Sequence, residues 1–188
     1  MASTSATDSA TTVPSSASTG STGATSQPGP QGQTEVYFSV ADGSDCAAVQ
    51  AFPRDVPADT DRFRATFDQL VAGPTDDEAA SGVGSFFSSE TSDVVRSVTI
   101  IDGLLLVDFV DLRPLLSNAS TSCGSEALLA QLDATAFQFP SVQRVRYQME
   151  GSCDGFANWL QRECFDTDRS GRQLEVATVE RASGSGCT

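Results

Sequence analysis

The sequence has no histidine and no lysine, so all 11 of its basic residues are arginine. A serine or cysteine nucleophile thereby loses its two commonest bases, and zinc or iron sites built on imidazole are excluded. Its cysteines, Cys46, Cys123, Cys153, Cys164 and Cys187, include no Cys-x-x-Cys pair, which removes the usual metal and redox signatures. No apolar run approaches the roughly 18 to 20 residues of a membrane span, and the N-terminus has no basic region followed by an apolar stretch. Positive charge is also scarce. With 25 acidic residues the net charge is −14, which repels nucleic acid and anionic lipid over most of the surface, so neither is expected as a partner.

What is present divides unevenly. Residues 1–33 are mostly Ser, Thr, Ala, Gly, Pro and Gln, with Asp8 as their only charge. A stretch without apolar periodicity cannot bury enough surface to offset chain entropy, so it reads as a flexible linker. The opening Met1-Ala2-Ser3-Thr4-Ser5, leading directly into that linker, suggests a signal segment trimmed away. Residues 34–164 read as one α+β domain, and 165–188 as a C-terminal extension or tail. A domain of this size buries about 68 to 70% of its unfolded surface, enough for one real core.

Val36–Val40 is short, β-branched and aromatic and ends in the turn-forming cluster 41–45; Ala48–Phe52 is expected as its partner, interrupted by Pro53. Asp59 or Thr60 can cap a helix in which Phe63, Phe67, Leu70 and Val71 form one stripe. Gly73-Pro74 stops it, and Thr75-Asp76-Asp77-Glu78 reads as a capping box. Val94–Ile101 and Leu104–Val110 flank Asp102-Gly103, a two-residue hairpin signal expected in the middle of a sheet. Ser122 or Ser125 starts a helix lined by Leu128, Leu129, Leu132 and Ala136. From Val142 to Glu150, Val145, Tyr147 and Met149 alternate inward with Arg144, Arg146 and Gln148 outward. The run Leu174–Val179 reads as an edge strand or as tail.

Cys153 and Cys164 bracket a short amphipathic segment, and a bridge between them would staple it. Cys46 and Cys123 both flank predicted elements and form the second candidate pair, leaving Cys187 odd. Such bridges imply an oxidising compartment; five reduced, unrelated cysteines are the competing reading.

Val36-Tyr37-Phe38, Leu70 to Thr75, Ser97-Val98-Thr99 before Asp102-Gly103, Val107-Asp108-Phe109, and Phe139-Pro140-Ser141-Val142 leading to Glu150-Gly151 occur in an order and spacing that resembles the GerMN domain. That domain is found in spore-germination and sporulation proteins and in actinobacterial envelope lipoproteins. The resemblance covers about residues 35–161. It implies a single sheet with helices on one face, two initial strands followed by helix-strand-strand-helix-strand, similar to ring-building modules of envelope complexes. It implies no catalytic residues and no cofactor. It points instead to an extracytoplasmic module, anchored outside this chain, whose partners are envelope or membrane proteins.

Other constellations are weaker. Glu126, Asp108 and Asp111 are the least implausible acids for a cell-wall glycan hydrolase or binding module, the alternative function; their bland reading is helix-terminal and solvated turn acids. Asp166 to Gly171 imitates the start of a calcium loop, but Ala177 stands at the twelfth position, where a bidentate Glu is needed. Asn118-Ala119-Ser120 matches a glycosylation sequon and is read as ordinary loop. Gly82-Val83-Gly84 lacks phosphate-loop context. Phe156 and Trp159 fit a core side better than an exposed recognition patch.

Overall fold

The computed structural model describes residues 31–40, 45–58 and 60–176. Most of the stretch read as linker, residues 41–44 of the cluster expected to turn, the capping candidate Asp59, and residues 177–188 with Cys187 lie outside the described residues.

Strand β1 (Gln31–Val40) pairs antiparallel with β2 (Val49–Pro57), from Gln31↔Pro57 to Ser39↔Val49. The ladder begins inside the stretch read as linker, because main-chain pairing tolerates polar side chains. It also runs straight through Pro53, which an edge strand accommodates. Helix α1 (Arg62–Val71) is capped by Asp61, one residue beyond the expected candidates, whose carboxylate accepts from Phe63 N at 3.0 Å and Arg64 N at 3.3 Å. Gly73 ends it at φ +81°, and a Cβ there would lie 2.5 Å from the Phe87 carbonyl oxygen. Gly73→Ala is therefore expected to cost about 1 to 2 kcal/mol in urea unfolding from the left-handed conformation, and more from the contact with Phe87. The Thr75–Glu78 capping box forms and starts α2 (Asp76–Ala80). Glu78 also holds Arg54 through two hydrogen bonds of 2.8 and 2.6 Å.

Strands β4 (Val95–Ile101) and β5 (Leu104–Phe109) form the hairpin, with Asp102 and Gly103 both at positive φ as a type I′ turn requires. Helix α3 (Ser122–Phe137), capped by Thr121, crosses over to β6 (Arg144–Met149), which lies parallel to β5. Its inward row Val145, Tyr147 and Met149 is buried. Helix α4 (Cys153–Trp159) follows, and its Phe156 ring packs 5.4 Å from Tyr147 and 6.4 Å from Phe109. Trp159, half-buried, meets Phe156 edge-on.

The α+β class stands, but the strands form two sheets rather than one: β2-β1-β3, where β3 is Val83–Gly84, and β4-β5-β6-β7-β8. The reason lies on the second edge of β1. Ser39 pairs there with Gly84, but farther along the same edge Tyr37 N donates to Thr135 Oγ1 at 3.1 Å. Glu35 N then donates to Gln138 Oε1 at 2.9 Å while Gln138 Nε2 donates to the Glu35 carbonyl at 2.6 Å. Buried Gln131 continues the series, donating to Ser39 Oγ at 3.1 Å and accepting from Ser85 Oγ at 2.7 Å. Side chains two turns apart on α3 thus occupy the pairing sites another strand would need. The hairpin is accordingly not central, since β4 is an edge.

The segment read as extension or tail supplies β7 (Phe165–Asp168) and β8 (Gln173–Glu175) to the larger sheet. Its charges are neutralised across strands: buried Asp166 accepts from Arg144 at 2.9 Å and Arg146 at 2.6 Å. The helices pack on the inward face of this sheet, where Leu105, Val107 and Phe109 join Leu70, Leu128 and Leu132 in one core.

Candidate functional site

Two disulfides frame the site. Cys46 is bonded to Cys123 across a sequence separation of 77, tying the segment before β2 to the first turn of α3. Cys153 is bonded to Cys164 across 11 residues, closing α4 and its following turn onto the start of β7. Between these staples lies a polar trough in two parts, of about 340 and 480 Å³, which share Glu126 and Arg162 as lining residues.

Glu126 and Asp133 project from α3 two turns apart and so lie on one side of the helix. Glu126 is exposed. Asp133 is set deeper: the Tyr147 hydroxyl donates to its Oδ1 at 2.7 Å. Burial raises the Asp133 carboxyl to about 7, against the opposing pull of the Tyr147 hydroxyl, Thr167 and the positive charge of Arg162. Burial also pushes the Tyr147 hydroxyl well above its ordinary range, reinforced by Asp133, so it stays a neutral donor. Thr167 Oγ1 is buried beside this carboxyl without a hydrogen bond of ordinary geometry, so its help is weak and Tyr147 is the main donor.

Arg162 faces Asp133 from the turn after α4. Its Nη1 donates to Gln173 Oε1 at 2.6 Å, and it forms no ion pair among the described residues, whereas Arg54, Arg64, Arg96, Arg113, Arg144, Arg146 and Arg172 each do. Next to it, Gln161 sits at φ +60° and donates to the Ser120 carbonyl at 3.0 Å. The arrangement can receive a ligand bearing both charges, and it holds one carboxyl that titrates near neutrality.

Of the acids singled out from the sequence, only Glu126 lines this trough. Asp108 is held by Arg96 at 3.0 Å and by the Gly151 amide at 2.7 Å. Asp111 is gripped by Arg113 through contacts of 2.7 and 2.8 Å, which lower its pKa. Asp133 and Tyr147 escaped sequence reasoning as a pair. The available signal was an acid four residues after buried Leu129, on the apolar side of α3.

The calcium-like segment is satisfied from within. Asp168 accepts from the Ser170 hydroxyl and amide and from the Arg172 amide, and these bonds, the Ser170 hydroxyl foremost, lower it to about 2. Among the described residues no group of three or more acids or cysteines is placed to hold a metal ion. Asn118 is exposed at φ +63°, its carbonyl accepting from Thr121. Val83-Gly84 is strand, paired with β1.

Comparison with known proteins adds the lineage. The tandem GerMN domains of the sporulation protein GerM from Bacillus subtilis share 18% identity at a TM-score of 0.46, over 65% of this chain and 40% of that one. This chain therefore spans less than half of that structure. The first GerMN domain of the same protein gives 18% and 0.41, over 64% of this chain and 84% of that one. A candidate lipoprotein from Clostridium perfringens gives 17% and 0.38, over 65% and 76%. No curated protein matches in sequence. The profile of the Germane family, described as sporulation and spore germination, matches residues 35–153, from β1 into the start of α4. Matched over more than half its length, the chain belongs to the Germane family of sporulation and spore-germination domains.

Proposed function

We propose that this chain is a non-catalytic module of the bacterial envelope, working outside the cytoplasm by contact with other envelope or membrane proteins in assembly, sporulation or signalling. The observation that carries the reading is a Germane domain closed by two disulfides, since such bridges persist in oxidising compartments. The segment preceding β1 serves in this reading as the tether to an anchor outside this chain. Sheet edges and the outward faces of α1 and α3 are the contact surfaces. Crosslinking in the native envelope, followed by identification of the joined proteins, tests it: discrete protein adducts are the expected result, and recovery of monomer alone defeats the proposal.

One observation favours a second reading, glycan hydrolysis by paired carboxyls: Glu126 and Asp133 line the same trough, and Asp133 titrates where a general acid would. Release of muropeptides from purified wall, lost in Asp133→Asn, would replace the non-catalytic proposal. Intact wall after prolonged incubation retires the hydrolase.

A further inference from the structure

We propose that the trough between α3 and the turn after α4 binds an α-amino carboxylate, as a free amino acid or the end of a short peptide. Arg162 receives the carboxylate and Glu126 the ammonium.

Charge is the first argument. Arg62, Arg162 and Arg169 form no ion pair among the described residues, but Arg62 and Arg169 give their guanidinium groups to main-chain carbonyls and aromatic rings, whereas Arg162 has only the neutral amide of Gln173. A guanidinium carries five donors in a fixed fork suited to a carboxylate, so most of that capacity is open to a ligand. Glu126, exposed on the same trough, is the complementary acceptor for an ammonium group. The second argument is depth. Beyond the shared Glu126 and Arg162, the half-buried Asp133 also lines the trough, so polar groups continue inward from its rim.

The third argument is rigidity. Cys123 lies beside Ser122 and Ser125 on one wall, and Cys164 lies two residues from Arg162 on the other, so both walls are covalently held before any ligand arrives. Little ordering then opposes binding. Sugar is disfavoured as occupant because no residue lining either part of the trough is aromatic, which leaves a pyranose ring nothing to stack on.

The test is titration of the ¹⁵N-labelled full chain with alanyl-alanine, free alanine and N-acetyl-alanyl-alanine amide. Amide shifts at Ser122, Gln161, Arg162 and Gly171 are expected with alanyl-alanine, alanine or both, and none with the doubly blocked peptide. The stronger of the first two identifies a peptide end or a free amino acid as the natural source. Arg162→Gln and Glu126→Gln, both at the surface of the trough, are each expected to weaken binding at least tenfold while leaving the remaining spectrum folded. No shift at the trough, equal binding by the blocked peptide, or undiminished binding by Arg162→Gln overturns the proposal. So does a response to chitotetraose in place of the peptides. Envelope crosslinking can fail while these shifts stand, so the two proposals fall separately.

Discussion

Replacing Cys46 and Cys123 together with serine is expected to remove about 4.5 kcal/mol of stability, because their bridge closes a separation of 77 residues in the unfolded chain. The same chain-entropy reasoning assigns about 2.8 kcal/mol to the Cys153–Cys164 bridge, which closes 11. Urea unfolding of the two double-serine variants measures both values, and the ordering is the sharper result. Should the shorter bridge prove the costlier to lose, its stabilisation comes chiefly from local packing of α4 and not from restriction of the unfolded chain. A domain of this kind has net stability of about 5 to 15 kcal/mol, so loss of the longer bridge takes a large share of it.

The second large effect depends on pH. Asp133 titrates near 7 in the folded protein, whereas an unfolded aspartate titrates near 3.9. Between those values the folded state holds a proton that the unfolded state has released. The stabilisation is fully present below about pH 4 and is lost as pH rises through about 7. Its ceiling is about 4 kcal/mol, reduced in practice because Asp133 keeps some contact with solvent. Asp133→Asn is expected to flatten stability over this window and to exceed the parent at pH 8, since the neutral amide still accepts from the Tyr147 hydroxyl. Thermal unfolding between pH 4 and 8 decides it. A variant with the same slope as the parent would show that Asp133 is charged in the fold throughout.

Much of the architecture was legible where local chemistry and burial agree. Asp102-Gly103 admits few conformations other than the tight turn it makes, and Gly73-Pro74 stops α1 because the following backbone turns where only glycine fits. The alternation in β6 placed its inward row correctly because a one-residue slip would bury two arginines. Polar groups that serve the interior were the difficulty. Gln131, Thr135 and Gln138 recur at helical spacing beside the leucine stripe without any signal of a partner, yet they face the open side of β1. Their role depends on which strand arrives there, and periodicity alone carries no such information. The same holds for β7, whose aspartates belong in a sheet only once Arg144 and Arg146 stand opposite. In the trough, Glu126 was visible as a helix-terminal acid, while Asp133 gains its character from burial against Tyr147.

The side-chain amide of Gln138 imitates a neighbouring strand, offering one donor and one acceptor to the backbone of Glu35. A helix dressed this way works as a removable guard: while it is seated, another polypeptide cannot template along that margin of β1. The Cys46–Cys123 bond moors the far end of the guard. With that bond cut, the covalent hold on α3 is gone and the margin of β1 stays covered by packing and side-chain hydrogen bonds alone.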